Sequence, residues 1–207
     1  MKRAGIVALI LLSAMGGKGL AVTGEAPPAT AQANPATTTD STGTSGDSSQ
    51  SKTKPDVFYD PGLLPEPVRA MRDKILEAAL SGDPDKLRTV IQSNEMPPVF
   101  SFGEEKDPIA AMKEQSNDGQ GREIMAILAE VLEAGYVHVD KGTPQEMYLW
   151  PYFAQYPIDD LTPPQMIELF KIVTSYEYNE MKEFGAYNFY RVGIGPDGTW
   201  HFFVAGD

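Results

Sequence analysis

Residues 187–205 alternate between apolar and other positions on both sides of Gly195-Pro196-Asp197-Gly198, the pattern of two strands joined by a tight turn. Pro196 presets the backbone angle for the first central position of a type I turn. Asp197 suits the second, and Gly198 can enter the left-handed region that a G1 bulge requires. Closing the turn between Gly195 and Thr199 predicts Ile194 opposite Trp200, Val192 opposite Phe202 and Tyr190 opposite Val204, all six on one face. The other face then sets Gly193 across from His201, Arg191 across from Phe203 and Phe189 across from Ala205. That second face reads either as a packing surface partly covered by a helix or loop, or as a ligand-facing surface floored by Gly193. A lone hairpin is marginal in water, so other elements must cover its apolar side.

Helical periodicity supplies the candidates. Residues 66–80 carry Val68, Met71, Ile75, Ala78 and Ala79 as one stripe, with Glu66 and Pro67 in the first turn and Gly82 beyond the end. Asp83-Pro84 starts a second helix whose buried side is Leu87, Val90 and Ile91, making an αα-hairpin. Met96-Pro97-Pro98 blocks continuation, and residues 99–102 read as a short strand or an extended loop. Asp107-Pro108 caps a short helix over about 109–113. A central helix over 121–134 places Ile124, Ile127, Leu128, Val131 and Leu132 on one side, with Gly135 closing it. Thr162-Pro163-Pro164-Gln165 is a capping box that opens a helix predicted to run to about Met181. Its apolar residues, Met166, Ile167, Leu169, Phe170, Ile172 and Val173, make it the expected cover for the hairpin.

Two further strands are predicted. Residues 136–140 alternate as a strand. Residues 147–150 fit a helix by the Thr143–Glu146 capping-box pattern and a strand by Tyr148, Leu149 and Trp150; the strand, pairing back on 136–140, is preferred. The fold class is therefore α+β: a mainly helical first half packed on a small antiparallel sheet that ends in a C-terminal β-hairpin.

Composition divides the chain. Lys2 and Arg3 precede an apolar run over residues 4–12 that is too short to span a bilayer, and Gly19-Leu20-Ala21 offers a small-residue cleavage site. Residues 1–21 read as a signal peptide, an uncleaved anchor being the alternative. Residues 22–55 are rich in Pro, Ser, Thr and Ala with no aromatic side chain, so they are expected to remain a disordered tether. Residues 56–207 are expected to form a single globular domain. The chain has no cysteine, which excludes disulfides, thiolate metal sites and a lipid-modified cysteine anchor. A periplasmic or secreted protein of the cell envelope is the expectation.

Charge narrows the partners. The chain holds 17 basic and 29 acidic residues, a net −12; without residues 1–21 the balance is 14 against 29, or −15. Phosphate backbones and anionic membrane surfaces are repelled by such a chain, so nucleic acid and, after signal cleavage, membrane are not expected partners. An envelope protein or glycan is.

Candidate chemistry is sparse. The two histidines, His138 and His201, fall on predicted strands, and Asp140 lies two residues beyond His138. If the strands were neighbours, these three would make a metal site and support an envelope hydrolase or metal-dependent enzyme; otherwise they are strand histidines that never meet. Glu104-Glu105 and Asp159-Asp160 are paired acids of the type used in glycoside hydrolysis, although adjacent loop acids are usually solvated charge. No nucleophile elbow, phosphate loop or dinucleotide fingerprint is present, and no cofactor is expected. The segment 148–157 is the densest aromatic stretch. Its prolines suggest a rigid, partly exposed loop whose Trp150, Tyr152 and Tyr156 stack on sugars or proline-rich peptides. With Arg191 and His201 on the second hairpin face, these are the candidate binding residues of a non-catalytic module.

Overall fold

The computed structural model describes residues 54–100 and 107–206. The signal-peptide segment, the tether as far as residue 53, and Glu104-Glu105 lie outside the described residues; Lys54 and Pro55, the last two residues of the expected tether, are described, and Lys54 pairs with Asp160. The first helix, α1 (Glu66–Leu80), buries Val68, Ile75, Ala78 and Ala79 as its stripe requires. Helix α2 (Pro84–Ser93) is started by the Asp83 carboxylate, which accepts from the Asp85 N–H at 3.0 Å. Helix α3 (Pro108–Gln115) is capped in the same way by Asp107, and Arg88 of α2 reaches that carboxylate at 2.7 Å. Helix α4 (Arg122–Glu133) buries Ile124, Met125, Leu128, Ala129, Val131 and Leu132. Arg72 of α1 donates from Nε and Nη2 to the Leu132 carbonyl, satisfying an acceptor that the end of α4 leaves open.

Five strands form one sheet in the order β1-β5-β4-β3-β2: β1 (Val99–Phe100), β2 (Val137–Val139), β3 (Met147–Trp150), β4 (Arg191–Ile194) and β5 (Trp200–Val204). The α+β class holds, and residues 147–150 form a strand antiparallel to β2. The sheet is mixed rather than antiparallel, because β1 runs parallel to β5. The Asn94 side-chain amide prolongs that pairing: it accepts from the Trp200 N–H at 3.0 Å and donates to the Trp200 carbonyl at 2.7 Å.

The turn closes as its residues dictate. Gly195 N–H donates to Thr199 O and Gly198 N–H to Gly195 O, both at 2.9 Å, with Gly198 at φ +89°. A Cβ on Gly198 would lie 2.7 Å from the Pro67 carbonyl oxygen, so the turn also abuts the start of α1. Ile194 faces Trp200, and both are fully buried. Beyond that pair the register departs from the expected one: Gly193 faces Phe202, Val192 faces Phe203 and Arg191 faces Val204. His201 is the extra residue of a bulge, which turns Phe202 out of the helix-facing side and Phe203 into it. The glycine gives the reason. A Cβ on Gly193 would lie 2.4 Å from both Phe202 Cζ and Met147 Sδ, so the two side chains meet in the space left by its missing side chain.

The helix expected from residue 163 to about 181 is two helices. Helix α5 (Pro163–Ile172) ends where Val173 becomes extended, and a second capping box restarts the chain as α6 (Ser175–Phe184). Thr174 N–H donates to the Glu177 carboxylate at 2.6 Å, and Thr174 Oγ1 accepts from the Glu177 N–H. Neither helix covers the hairpin. Helices α1 and α4 pack against β4 and each other, while α5 packs on α4. The face bearing Trp150, Val192, Ile194, Trp200 and Phe203 is thereby sealed.

Gly135 does not close α4 in a left-handed cap. It is a crossing point, where an added Cβ would lie 2.8 Å from the Tyr59 ring and 3.0 Å from both Tyr152 and Val57. Its N–H donates to Glu168 Oε1 at 2.9 Å, and its carbonyl accepts from the Tyr152 N–H at 2.8 Å. The Tyr59 and Tyr152 hydroxyls both donate to Glu168 Oε2. One carboxylate on α5 thus ties the segment entering the fold, the turn after α4 and the segment after β3.

Candidate functional site

The face of the sheet away from α1 and α4 is only partly covered. Val139, Met147, Leu149 and Phe202 come from β2, β3 and β5, and Arg191 opens β4 beside them. Together with the loop residues around Gln155 and Tyr187, they surround a hollow of about 460 Å³. A second hollow of about 290 Å³ continues from it, sharing Ala154, Gln155, Ala186 and Tyr187 and reaching Tyr156, Pro157 and Asp159. We call these two adjoining hollows the groove: Phe202 lines the first, Tyr156 the second and Gln155 both.

Local chemistry fixes the walls. Pro151 ends β3 and leads into a single 3-10 turn, Tyr152–Ala154, whose Tyr152 and Phe153 are fully buried. Burying these rings anchors the turn and presents Ala154 and Gln155 along the sheet face. The opposite wall follows α6. Gly185 takes φ +86°, its N–H and that of Ala186 both donate to Met181 O, and the chain turns back into Tyr187. Tyr187 is buried and donates from its hydroxyl to Tyr190 O at 2.8 Å. Burial pushes its phenol well above the ordinary tyrosine range, so it stays neutral.

The polar groups of the groove are planar side chains. Arg191 donates through Nη1 to the Gly206 carbonyl. Its remaining guanidinium N–H groups, the Gln145 and Gln155 amides and the Asp140 carboxylate have no protein partner among the described residues. Asp140 reaches this face because its φ of +51° ends the strand alternation at Val139. Asp tolerates that conformation, and its carbonyl accepts from the N–H and hydroxyl of Thr143.

The expected binding residues are scattered. Arg191 and Tyr156 line the groove. Trp150 and Tyr152 do not: both are fully buried, so the aromatic stretch is core packing and not the part-exposed loop the prolines suggested. Tyr136 packs on Trp150 at 5.1 Å between ring centroids, and Tyr156 meets Tyr152 edge-on at 5.5 Å. The Lys54 ammonium lies 5.4 Å from the Tyr156 centroid and pairs with Asp160 at 2.7 Å. His201 is exposed on its bulge beside Gly195, away from the groove.

No protein family matches this chain, and neither does any curated protein or solved structure.

The expected metal site is not assembled. His138 on β2 and His201 on β5 are separated by β3 and β4, about 14 Å at ~4.8 Å per strand spacing. Asp140 has turned to the groove side, whereas His138 stacks on Tyr148, which shares the helix-facing side with Trp150. Among the described residues, no three His, Asp or Glu side chains come close enough to hold a metal ion. His138 Nε2 instead meets Glu146 Oε1 at 2.7 Å, while Gly142 N–H donates to Glu146 Oε2. These contacts, the backbone N–H first and the imidazole second, hold the Glu146 carboxyl below its ordinary range.

A separate hollow of about 310 Å³ lies between α4 and α5, beside Glu130, Glu133, Ile167 and Lys171. Its central acid, Glu168, already has both oxygens engaged by Gly135, Tyr59 and Tyr152. That hollow is therefore assigned to packing. The groove residues missed by sequence reasoning are Met147, Gln155 and Phe202. Phe202 was placed on the wrong face by the register, and isolated glutamines in loops carry no signal of their own.

Proposed function

We propose that the chain is an exported cell-envelope protein, periplasmic or secreted, that acts as a non-catalytic binding module through the groove on its open sheet face. The observation carrying the reading is the groove itself: an apolar floor, one arginine and several planar polar groups without partners among the described residues. Such concave mixed surfaces are the usual form of ligand sites. The sequence features of residues 1–55 support export. No helix among the described residues is long and apolar enough to cross a membrane. Binding is favoured over hydrolysis because the histidines needed for a metal-assisted reaction lie strands apart.

Two measurements test the proposal. Fractionation of cells producing the full chain should recover a processed form outside the cytoplasm; a wholly cytoplasmic, full-length product contradicts the export reading. Solubilised envelope material added to the isotope-labelled protein should shift amide resonances clustered around residues 139, 147, 155, 191 and 202. Shifts confined to α1–α4, or none, contradict the groove as the site.

A further inference from the structure

The groove's chemistry narrows the ligand beyond the binding-module reading on which this inference rests. We infer that the groove holds a neutral, β-1,4-linked hexopyranose chain, with one sugar ring over Phe202 and the next units running past Gln155 toward Tyr156. Three observations converge on this class.

First, the floor carries an aromatic ring. The tip of Phe202, Cζ and Cε1, leans over Gly193 beside Met147 Sδ, and the side chain keeps part of its surface in water. An aromatic side chain on a β-sheet face offers a platform for the C–H face of a pyranose with equatorial hydroxyls. Second, the polar groups are of the right kind and number. Asp140, Gln145, Gln155 and Arg191 are planar donors and acceptors spread along the walls, the first three exposed, and apart from one Arg191 bond they have no partner among the described residues. A sugar presents hydroxyls that donate and accept along its edges, so it satisfies a mixed set. A fatty acid would strip water from the exposed glutamines and Asp140 with an acyl chain that returns no hydrogen bond. Third, two adjoining hollows of about 460 and 290 Å³ make an elongated site that suits several linked rings better than one compact ligand. A β-1,4 chain is an extended ribbon that lies along a flat face, whereas an α-1,4 chain coils away from it. The strongly acidic chain also favours a neutral ligand over an anionic one.

The experiment is a resonance-resolved titration of the full chain with cellotetraose, chitotetraose, maltotetraose and dodecanoate in separate samples. Cellotetraose or chitotetraose should shift the amides of residues 147, 155, 191 and 202, with maltotetraose binding at least tenfold more weakly. Phe202→Ala should weaken the sugar by about tenfold, the loss expected for an aromatic contact of ~1.4 kcal/mol. Gln155→Ala, at an exposed loop position that leaves the fold intact, should weaken it about threefold. Equal or tighter binding of maltotetraose, or unchanged affinity in both variants, overturns the inference. Dodecanoate shifting the same residues while no sugar does overturns the sugar but keeps the groove as a binding site. Silence from all four probes overturns the inference, and silence with envelope material as well overturns the binding-module reading beneath it.

Discussion

On the helix side of the sheet Trp150, Val192, Ile194 and Trp200 are fully buried under α1 and α4, whereas across the same strands Val139, Met147, Arg191 and Phe202 keep part of their surface in water. Both sides are largely apolar, so composition alone does not separate them. Coverage does: among the described residues, one side receives two amphipathic helices, and the other receives the turn after β3 and the segment after α6. The sealed side holds large rings at fixed places and carries the stability of the fold. The open side keeps polar groups without partners among the described residues and a ring whose tip leans over Gly193. Its floor packs on the core from below and keeps part of its upper surface in water, which is the physical argument for reading it as a ligand surface.

Substitutions should separate the two sides. The largest effect is expected for Trp150→Ala, which empties a fully buried site and should cost about 3–5 kcal/mol in denaturant unfolding. A loss below about 1 kcal/mol would mean that the ring is not held in the core. Gly198→Ala comes next. It forces an L side chain to φ +89° against the Pro67 carbonyl and should cost about 2–3 kcal/mol by the same measurement. Glu168→Ala removes the acceptor of two tyrosine hydroxyls and the Gly135 N–H, and should cost about 1–3 kcal/mol. Arg191→Ala, on the open side, should change stability by about 1 kcal/mol or less while weakening any ligand of the groove.

The smallest effect is with pH. Backbone N–H groups in the turn lower the Asp197 carboxyl, the Gly142 N–H and His138 lower Glu146, and the Ser116 hydroxyl lowers Asp118. Each is depressed in the folded state, so the unfolded chain binds more protons. The stability they contribute is complete above the ordinary carboxylate pKa of about 4 and is lost as pH falls through their folded values. The urea midpoint should therefore stay level from pH 7 to about 5 and fall below about 4. A midpoint that rises on acidification would reverse the sign.

Much of the scaffold was legible because its signals are local. The Gly195–Gly198 turn, the Asp83 and Asp107 caps and the stripes of α1 and α4 each depend on residues within a few positions of one another. What failed depended on contacts made across the fold. Gly193 leaves a notch that Phe202 and Met147 fill from the two neighbouring strands, and that shifts the hairpin register at His201. Tyr152 looks like a loop aromatic until Gly135 and Glu168 are brought to it from other parts of the chain, and Trp150 does so until Tyr136 packs on it. Asp140 left its face because one left-handed residue ended the alternation. The Thr174–Glu177 box was local and legible, but it was hidden within a long apolar run that reads as one continuous helix. Of the site, Arg191 and Tyr156 were foreseen, while the role of Phe202 followed from the bulge.

The division between a sealed face and a ligand face is tested most directly by measuring Phe202→Ala twice on one sample, for unfolding free energy and for affinity toward cellotetraose and chitotetraose. The structure predicts a stability loss of no more than about 1–2 kcal/mol, as for a ring that keeps part of its surface in water, together with an affinity loss of about tenfold. A stability loss of about 4 kcal/mol with the affinity of the remaining folded protein unchanged would make Phe202 a core residue and contradict the account.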